Sequence, residues 1–154
     1  MNTEGEQSLG VEIGIMAIKI CHVSQKGNFL YQRQLKSPQY LMPGAVTVEL
    51  CEYFKSLNKT QKVKFIGIAL PACIDGENKV VKESNLFCEW VDVPFADWLE
   101  IRLGTKVILG NTNECERLET GQNQHFCYSS SVSLAAMGAI RLAYEKLSSH
   151  GAPF

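Results

Sequence analysis

Three short stretches of this chain hold residue types that could do chemistry. The first is Glu12-Ile13-Gly14-Ile15-Met16, a carboxylate followed two residues later by a glycine inside a strongly apolar run. A carboxylate can hold a cation or accept hydrogen bonds. A glycine in a strand marks a bend or a close backbone approach, as several phosphate-handling folds require. The second stretch is Gly67-Ile68-Ala69-Leu70-Pro71-Ala72, followed by Asn85-Leu86 and by Trp90. The third is Gly110-Asn111-Thr112-Asn113-Glu114, directly after the apolar Val107-Ile108-Leu109. Ligands of open α/β sheets bind beyond the carboxyl ends of strands, so the second and third stretches stand where a ligand would be met. The candidate binding residues are Glu12, Gly14, Asn85, Asn111 and Thr112.

The elements that must position them follow from apolar periodicity. Residues 9–23 are apolar on both alternating faces, which reads as one central strand buried on two sides. Residues 24–27 form a turn with Gly27 free to take positive φ, and Phe29, Tyr31 and Leu35 give a second, antiparallel strand. Val46, Leu50, Tyr53, Phe54 and Leu57 line one stripe of a helix over 44–57. A buried strand over 62–70, a turn at Asp75-Gly76, and a helix over 94–103 with Pro94 in its first turn and Gly104 at its end come next. A short strand at 107–109, a short helix at 114–119 and a last helix over 131–147 complete the chain. Ala135, Ala136, Gly138 and Ala139 keep the start of that last helix thin, so that it can lie close on a sheet. A meander followed by alternating helix and strand predicts an α/β domain of ribonuclease H-like pattern, with a mixed sheet and helices on both faces.

Composition limits what such a domain can do. With 154 residues the chain makes one domain over 9–150, after a disordered polar tail at 1–8. The net charge of -1, with scattered lysines and arginines, gives no basic stripe for nucleic acid. No apolar run is long enough to span a membrane and residues 1–8 carry no signal-peptide core, so a cytoplasmic location is expected. The six cysteines form no C-x-x-C pair and stand at no zinc-ligand spacing from the three histidines, so they read as reduced thiols in apolar segments, and no metal is expected.

In order along the chain, the three stretches resemble the signature segments of the N-terminal lobe of ROK proteins, the sugar kinases and sugar-sensing repressors of the actin-like ATPase superfamily. The family's D-x-G-G-T falls on Glu12 to Met16. Its G-I-G-x-P-G falls on Gly67 to Ala72, with N-L and a following W at Asn85, Leu86 and Trp90. Its E-N-D-A-N falls on Gly110 to Glu114. Val93-Pro94-Phe95-Ala96-Asp97-Trp98-Leu99-Glu100 is similar to the family's V-P-L-A-D-W-L-E, and the last helix to the one that folds back onto this lobe. The resemblance implies an actin-like fold and, in active members, transfer of phosphate from ATP with magnesium to a sugar. It also implies sugar contacts at Asn85 and Asn111.

The departures from the family pattern point away from that reaction. Glu12 is one methylene longer than the family's Asp, Ile15 adds a branched side chain where backbone must approach phosphate, and Met16 has no hydroxyl. Ala72 replaces the glycine after the proline. Thr112 stands at the catalytic base and cannot accept a proton at neutral pH, so no catalytic residue and no cofactor are expected. Relatives insert a second lobe, with the nucleotide and a Cys/His zinc site, where this chain has only 120–130. The reading is therefore a degenerate lobe without kinase activity, acting as a binding or regulatory module. A homo-oligomer or a protein partner is expected to cover the surface that the second lobe covers in relatives. The alternatives are half of a split ATP-dependent sugar kinase and a residual sugar sensor. A two-metal nuclease lacks the clustered carboxylates it would need, and a decayed gene product is the last possibility.

Bland roles compete for the same residues. Glu12 can be a hydrogen-bonded strand-end carboxylate, and Asn85 and Asn111 can cap turns. Thr112 can cap a helix that starts at Asn113, and Trp90 and Trp98 can be packing side chains.

Overall fold

The computed structural model describes residues 5–57, 61–84, 87–122 and 131–149. A five-stranded mixed sheet organises them. Its strands are β1 (Gly5–Ile13), β2 (Ala17–Ser24), β3 (Phe29–Lys36), β4 (Gln61–Leu70) and β7 (Lys106–Asn111), in the spatial order β3-β2-β1-β4-β7. The first three pair antiparallel as a meander, and β1, β4 and β7 run parallel. A two-stranded ribbon of β5 (Cys73–Ile74) and β6 (Val81–Glu83) follows β4. The helices are α1 (Pro43–Leu57), α2 (Phe95–Leu103), α3 (Thr112–Gln122) and α4 (Leu134–Ser149). This is the expected α/β class with a mixed sheet.

Residues 9–23 are two strands, not one. Gly14 N–H donates to Ala17 O at 3.0 Å and closes a tight turn, so Ile15 and Met16 project at its tip, 59% and 83% exposed. Apolar residues on both faces fit a pair of adjacent inner strands as well as one long strand, and Gly14 makes the reversal possible. This supplies the third strand of the meander that the sequence pattern left unresolved. The polar tail is also shorter than expected, because β1 begins at Gly5 and buries Gln7 and Ser8. Gln7 is buried at little cost because its Oε1 lies 2.9 Å from His22 Nδ1.

The helices divide between the two faces of the sheet. On one, α1 and α2 pack over Leu9, Val11, Ile13, Ile18, Ile20, Ile66 and Ile68 in the larger core. Trp90 is fully buried there, edge-on to Phe95 with ring centroids 4.9 Å apart, and its indole N–H donates to Leu41 O at 2.7 Å. Its role is packing, and Trp98 packs half-buried against the same core. Gly104, at φ 68, ends α2 with its N–H on Glu100 O at 2.8 Å. The expected α2 terminator is therefore in place.

On the other face α4 lies across β1, β4 and β7 and beside α3. Ala135, Ala139, Leu142 and Ala143 meet Phe65, Ala69, Ile108 and Cys115. Gly10 and Gly67 are register partners and present no side chain to α4. A Cβ on Gly10 would stand 2.0 Å from Ala136 O, and one on Gly67 would stand 2.1 Å from Ala139 O. The close approach expected in the first strand thus occurs at Gly10, and Gly14 serves the turn.

Ser133 fixes the start of α4. Its Oγ accepts from Ala136 N–H at 2.9 Å, the bond of an N-cap, and donates to Glu12 Oε1 at 2.6 Å. Ser133→Ala removes the cap and leaves Glu12 without this donor, so a loss of about 1–2 kcal/mol is expected in urea unfolding. An unchanged midpoint would show that neither bond contributes.

Candidate functional site

Two of the three chemistry-bearing stretches meet. Beyond the carboxyl ends of β4 and β7, a cleft of about 470 Å³ is lined by Pro71, Ala72, Cys73, Glu83, Ser84, Asn111, Thr112 and Asn113. It sits where open α/β sheets bind ligands. Asn111 is the last residue of β7 and holds this corner together. Its Nδ2 donates to Ala72 O at 3.0 Å, while its Oδ1 accepts from Asn113 N–H at 2.9 Å and more weakly from Glu114 N–H at 3.4 Å. Asn111 is therefore the N-cap of α3, and its side-chain amide is already used on the protein.

Thr112 does not cap, contrary to one expectation. It already lies inside α3, and a capping oxygen must come from the residue before the first helical one. Its Oγ1 is buried and finds no hydrogen-bond partner among the described residues. Thr112→Val should therefore be neutral or gain up to about 1 kcal/mol, because it replaces an unsatisfied hydroxyl with a methyl group. A loss of about 1 kcal/mol or more in urea unfolding would mean that the hydroxyl is bonded.

The first stretch does not join this cleft. Glu12 turns its carboxylate to Ser133, and Gly14 sits in the turn, where its O accepts from Ser37 Oγ at 2.7 Å. Ile15 and Met16 instead border a separate, mostly apolar hollow of about 660 Å³ with Pro38, Tyr40, Met42 and Phe87. Asn85 lies outside the described residues. The cleft lining at Cys73, Glu83 and Ser84 was not singled out in the sequence, since a two-stranded ribbon that short leaves no periodic signal. Ser84 Oγ donates to Pro71 O at 2.8 Å and accepts from Phe87 N–H at 3.1 Å, tying the ribbon to the end of β4.

The thiols divide into two kinds. Cys21 and Cys115 are buried, and burial pushes each thiol up to about 12, so both stay protonated and act as small apolar groups. Cys73 and Cys88 are exposed, against the expectation of apolar surroundings. Among the described residues no group of three or more His, Cys, Asp or Glu side chains is placed to hold a metal ion. No helix among them is long and apolar enough to cross a membrane.

Known proteins place this geometry. The chain is 30% identical over 105 residues to a glucokinase from Thermotoga maritima, covering 67% of this chain and 32% of that protein. The fold is shared with a ROK family glucokinase from Streptomyces griseus solved with glucose and AMPPNP, at TM-score 0.65 and 20% identity over 74% of this chain and 36% of the other. It is shared as well with the inorganic polyphosphate/ATP-glucomannokinase of Arthrobacter sp. strain KM, at TM-score 0.65 and 21% identity over 82% of this chain and 51% of the other. The chain spans about a third of the Thermotoga maritima and Streptomyces griseus proteins and half of the Arthrobacter one. The ROK family model matches residues 8–146. With that match, and an actin-like ATPase fold around the same collinear segments, the chain belongs to the ROK family.

Proposed function

We propose that this lobe carries out no phosphate transfer of its own and works as a binding or regulatory module built on a sugar-kinase fold. The observation that carries the reading is the state of the cleft between β4 and β7. Thr112, at the position of the family's base, has no group that takes up a proton at neutral pH, and neighbouring Asn111 has its amide committed to Ala72, Asn113 and Glu114. The first stretch does not fit a nucleotide's phosphates with magnesium either. Ile15 and Met16 offer exposed apolar side chains there, and the Glu12 carboxylate is engaged by Ser133. The proposed location is the cytoplasm.

The size and polar lining of the cleft suit a few sugar hydroxyls, which supports residual sugar binding as a second reading. Half of a split kinase is the competing one. Calorimetry against hexoses, amino sugars and nucleotides, together with a sugar-dependent ATP turnover assay with magnesium, separates them. The expected result is no turnover. Heat from a sugar without heat from ATP would make the module a sugar sensor. Sugar-dependent ADP release, by the chain alone or with a co-purified partner, would overturn the proposal.

A further inference from the structure

We infer that a hollow between the end of β2, α3 and α4 binds a free amino acid with an apolar side chain, held through both its carboxylate and its ammonium group. The hollow shares no lining residue with the cleft between β4 and β7, and the inference does not rest on the absence of phosphate transfer. Its volume is about 380 Å³, near the lower end of the ~300–1,000 Å³ of small-molecule pockets, which suits a single amino acid. Val23 and Met137, both buried, make its apolar part together with Ile140 and Tyr144. Arg141 and Glu145, one helical turn apart on the same face of α4, make its polar part.

A buried charge sets Arg141 in place. Glu119 of α3 is fully buried, and its Oε1 accepts from Arg141 Nε–H at 2.6 Å. A buried carboxylate needs such a partner, and the bond limits how the guanidinium can turn. The two Nη groups make no hydrogen bond among the described residues, and the side chain is 37% exposed. Such a pair of donors is the fork that matches a carboxylate. Arg and Glu four residues apart on a helix ordinarily pair with each other. Here Arg141 turns to Glu119 instead, so Glu145 has no ion pair among the described residues.

Charge selects the ligand. Two carboxylates stand against one guanidinium, so the hollow is negative on balance. A plain carboxylate or a phosphate would meet the Arg141 fork but be opposed by Glu119 and Glu145. A plain amine would satisfy Glu145 and leave the fork unanswered. A zwitterion answers both groups at once, and its side chain falls to Val23, Met137, Ile140 and Tyr144.

Calorimetry of the full chain with L-leucine and L-phenylalanine tests this. At least one of them is expected to bind with a Kd of about 0.1–1 mM. N-acetyl-L-leucine lacks the ammonium group and 3-methylbutylamine lacks the carboxylate, and each should bind at least about ten-fold more weakly than L-leucine. Glu145→Gln should weaken amino-acid binding about ten-fold and leave the urea midpoint at the wild-type value, since this side chain is exposed and unpaired. Arg141→Lys keeps a cation for Glu119 but has no fork, and should weaken binding by at least as much. No heat from either amino acid would overturn the inference. So would binding of N-acetyl-L-leucine or 3-methylbutylamine as tight as that of L-leucine. Equal amino-acid binding by wild type and Glu145→Gln would also overturn it, since the ligand would then sit elsewhere on the chain.

Discussion

Gly67→Ala is expected to cost about 3 kcal/mol and to move the urea midpoint far down, although it adds a single methyl group. Gly67 lies in the middle of β4, between Gly10 of β1 and Ile108 of β7. A Cβ there would meet Ala139 O at 2.1 Å, Ala139 C at 2.5 Å and Ile140 N at 3.1 Å. These are backbone atoms of α4, which cannot rotate aside as a side chain can. Room appears only if the whole helix lifts, and that pulls Ala135, Ala139, Leu142 and Ala143 off the sheet. Gly44→Ala is the control, since nothing stands within 4 Å of a Cβ at that position in the first turn of α1. It should be neutral or gain about 0.5 kcal/mol from the better helix former. Equal midpoints for the two variants would show that the helix does not sit this close to the sheet.

Acid should destabilise the protein through His22. This histidine is fully buried in β2, with Gln7 Oε1 2.9 Å from its Nδ1 and Tyr53 OH 2.7 Å from its Nε2. Tyr31 stacks on its ring, and Arg33 lies over Tyr31 on the far side. Burial, and then the charge of Arg33, lowers its pKa from 6.5 to about 4. The unfolded chain binds a proton at His22 below about pH 6.5, while the folded chain refuses it until about pH 4. The contribution is therefore complete above pH 6.5 and is lost as the pH falls through that window. Its full size is about 3 kcal/mol. His22→Gln keeps a polar side chain but cannot titrate. Its stability should be lower than wild type near neutrality, and its slope against pH between 6.5 and 4 should be flatter by that amount. Parallel slopes for the two proteins would remove His22 from the acid response.

Much of the fold was legible because apolar periodicity is local. The stripe of Val46, Leu50 and Phe54 gave α1, and the apolar run ending at Leu70 gave β4. The punctuation by Pro94 and Gly104 gave α2 within a residue. Legibility failed where two arrangements share one pattern. Residues 9–23 carry apolar side chains on both faces whether they form one strand or two inner strands, and only the turn at Gly14 separates the cases. The site failed in the same way. Asn111 and Thr112 are both good capping types, and the choice between them depends on where β7 stops and α3 begins.

The sequence by itself determined which chemistry is available. Ile15 and Met16 carry no hydroxyl or charged side-chain group, and the Thr112 hydroxyl takes up no proton at neutral pH, whatever the fold around them. Tertiary structure alone decided which of the remaining polar groups are already taken. Glu12 and Ser133 stand 121 residues apart in the chain and meet at 2.6 Å, and Asn111 reaches back across the cleft to Ala72. The first pairing depends on α4 settling onto Gly10 and Gly67, and the second on the parallel register that sets Leu70 beside Asn111. A hydrogen bond is made by distance in space, and separation along the chain says nothing of it.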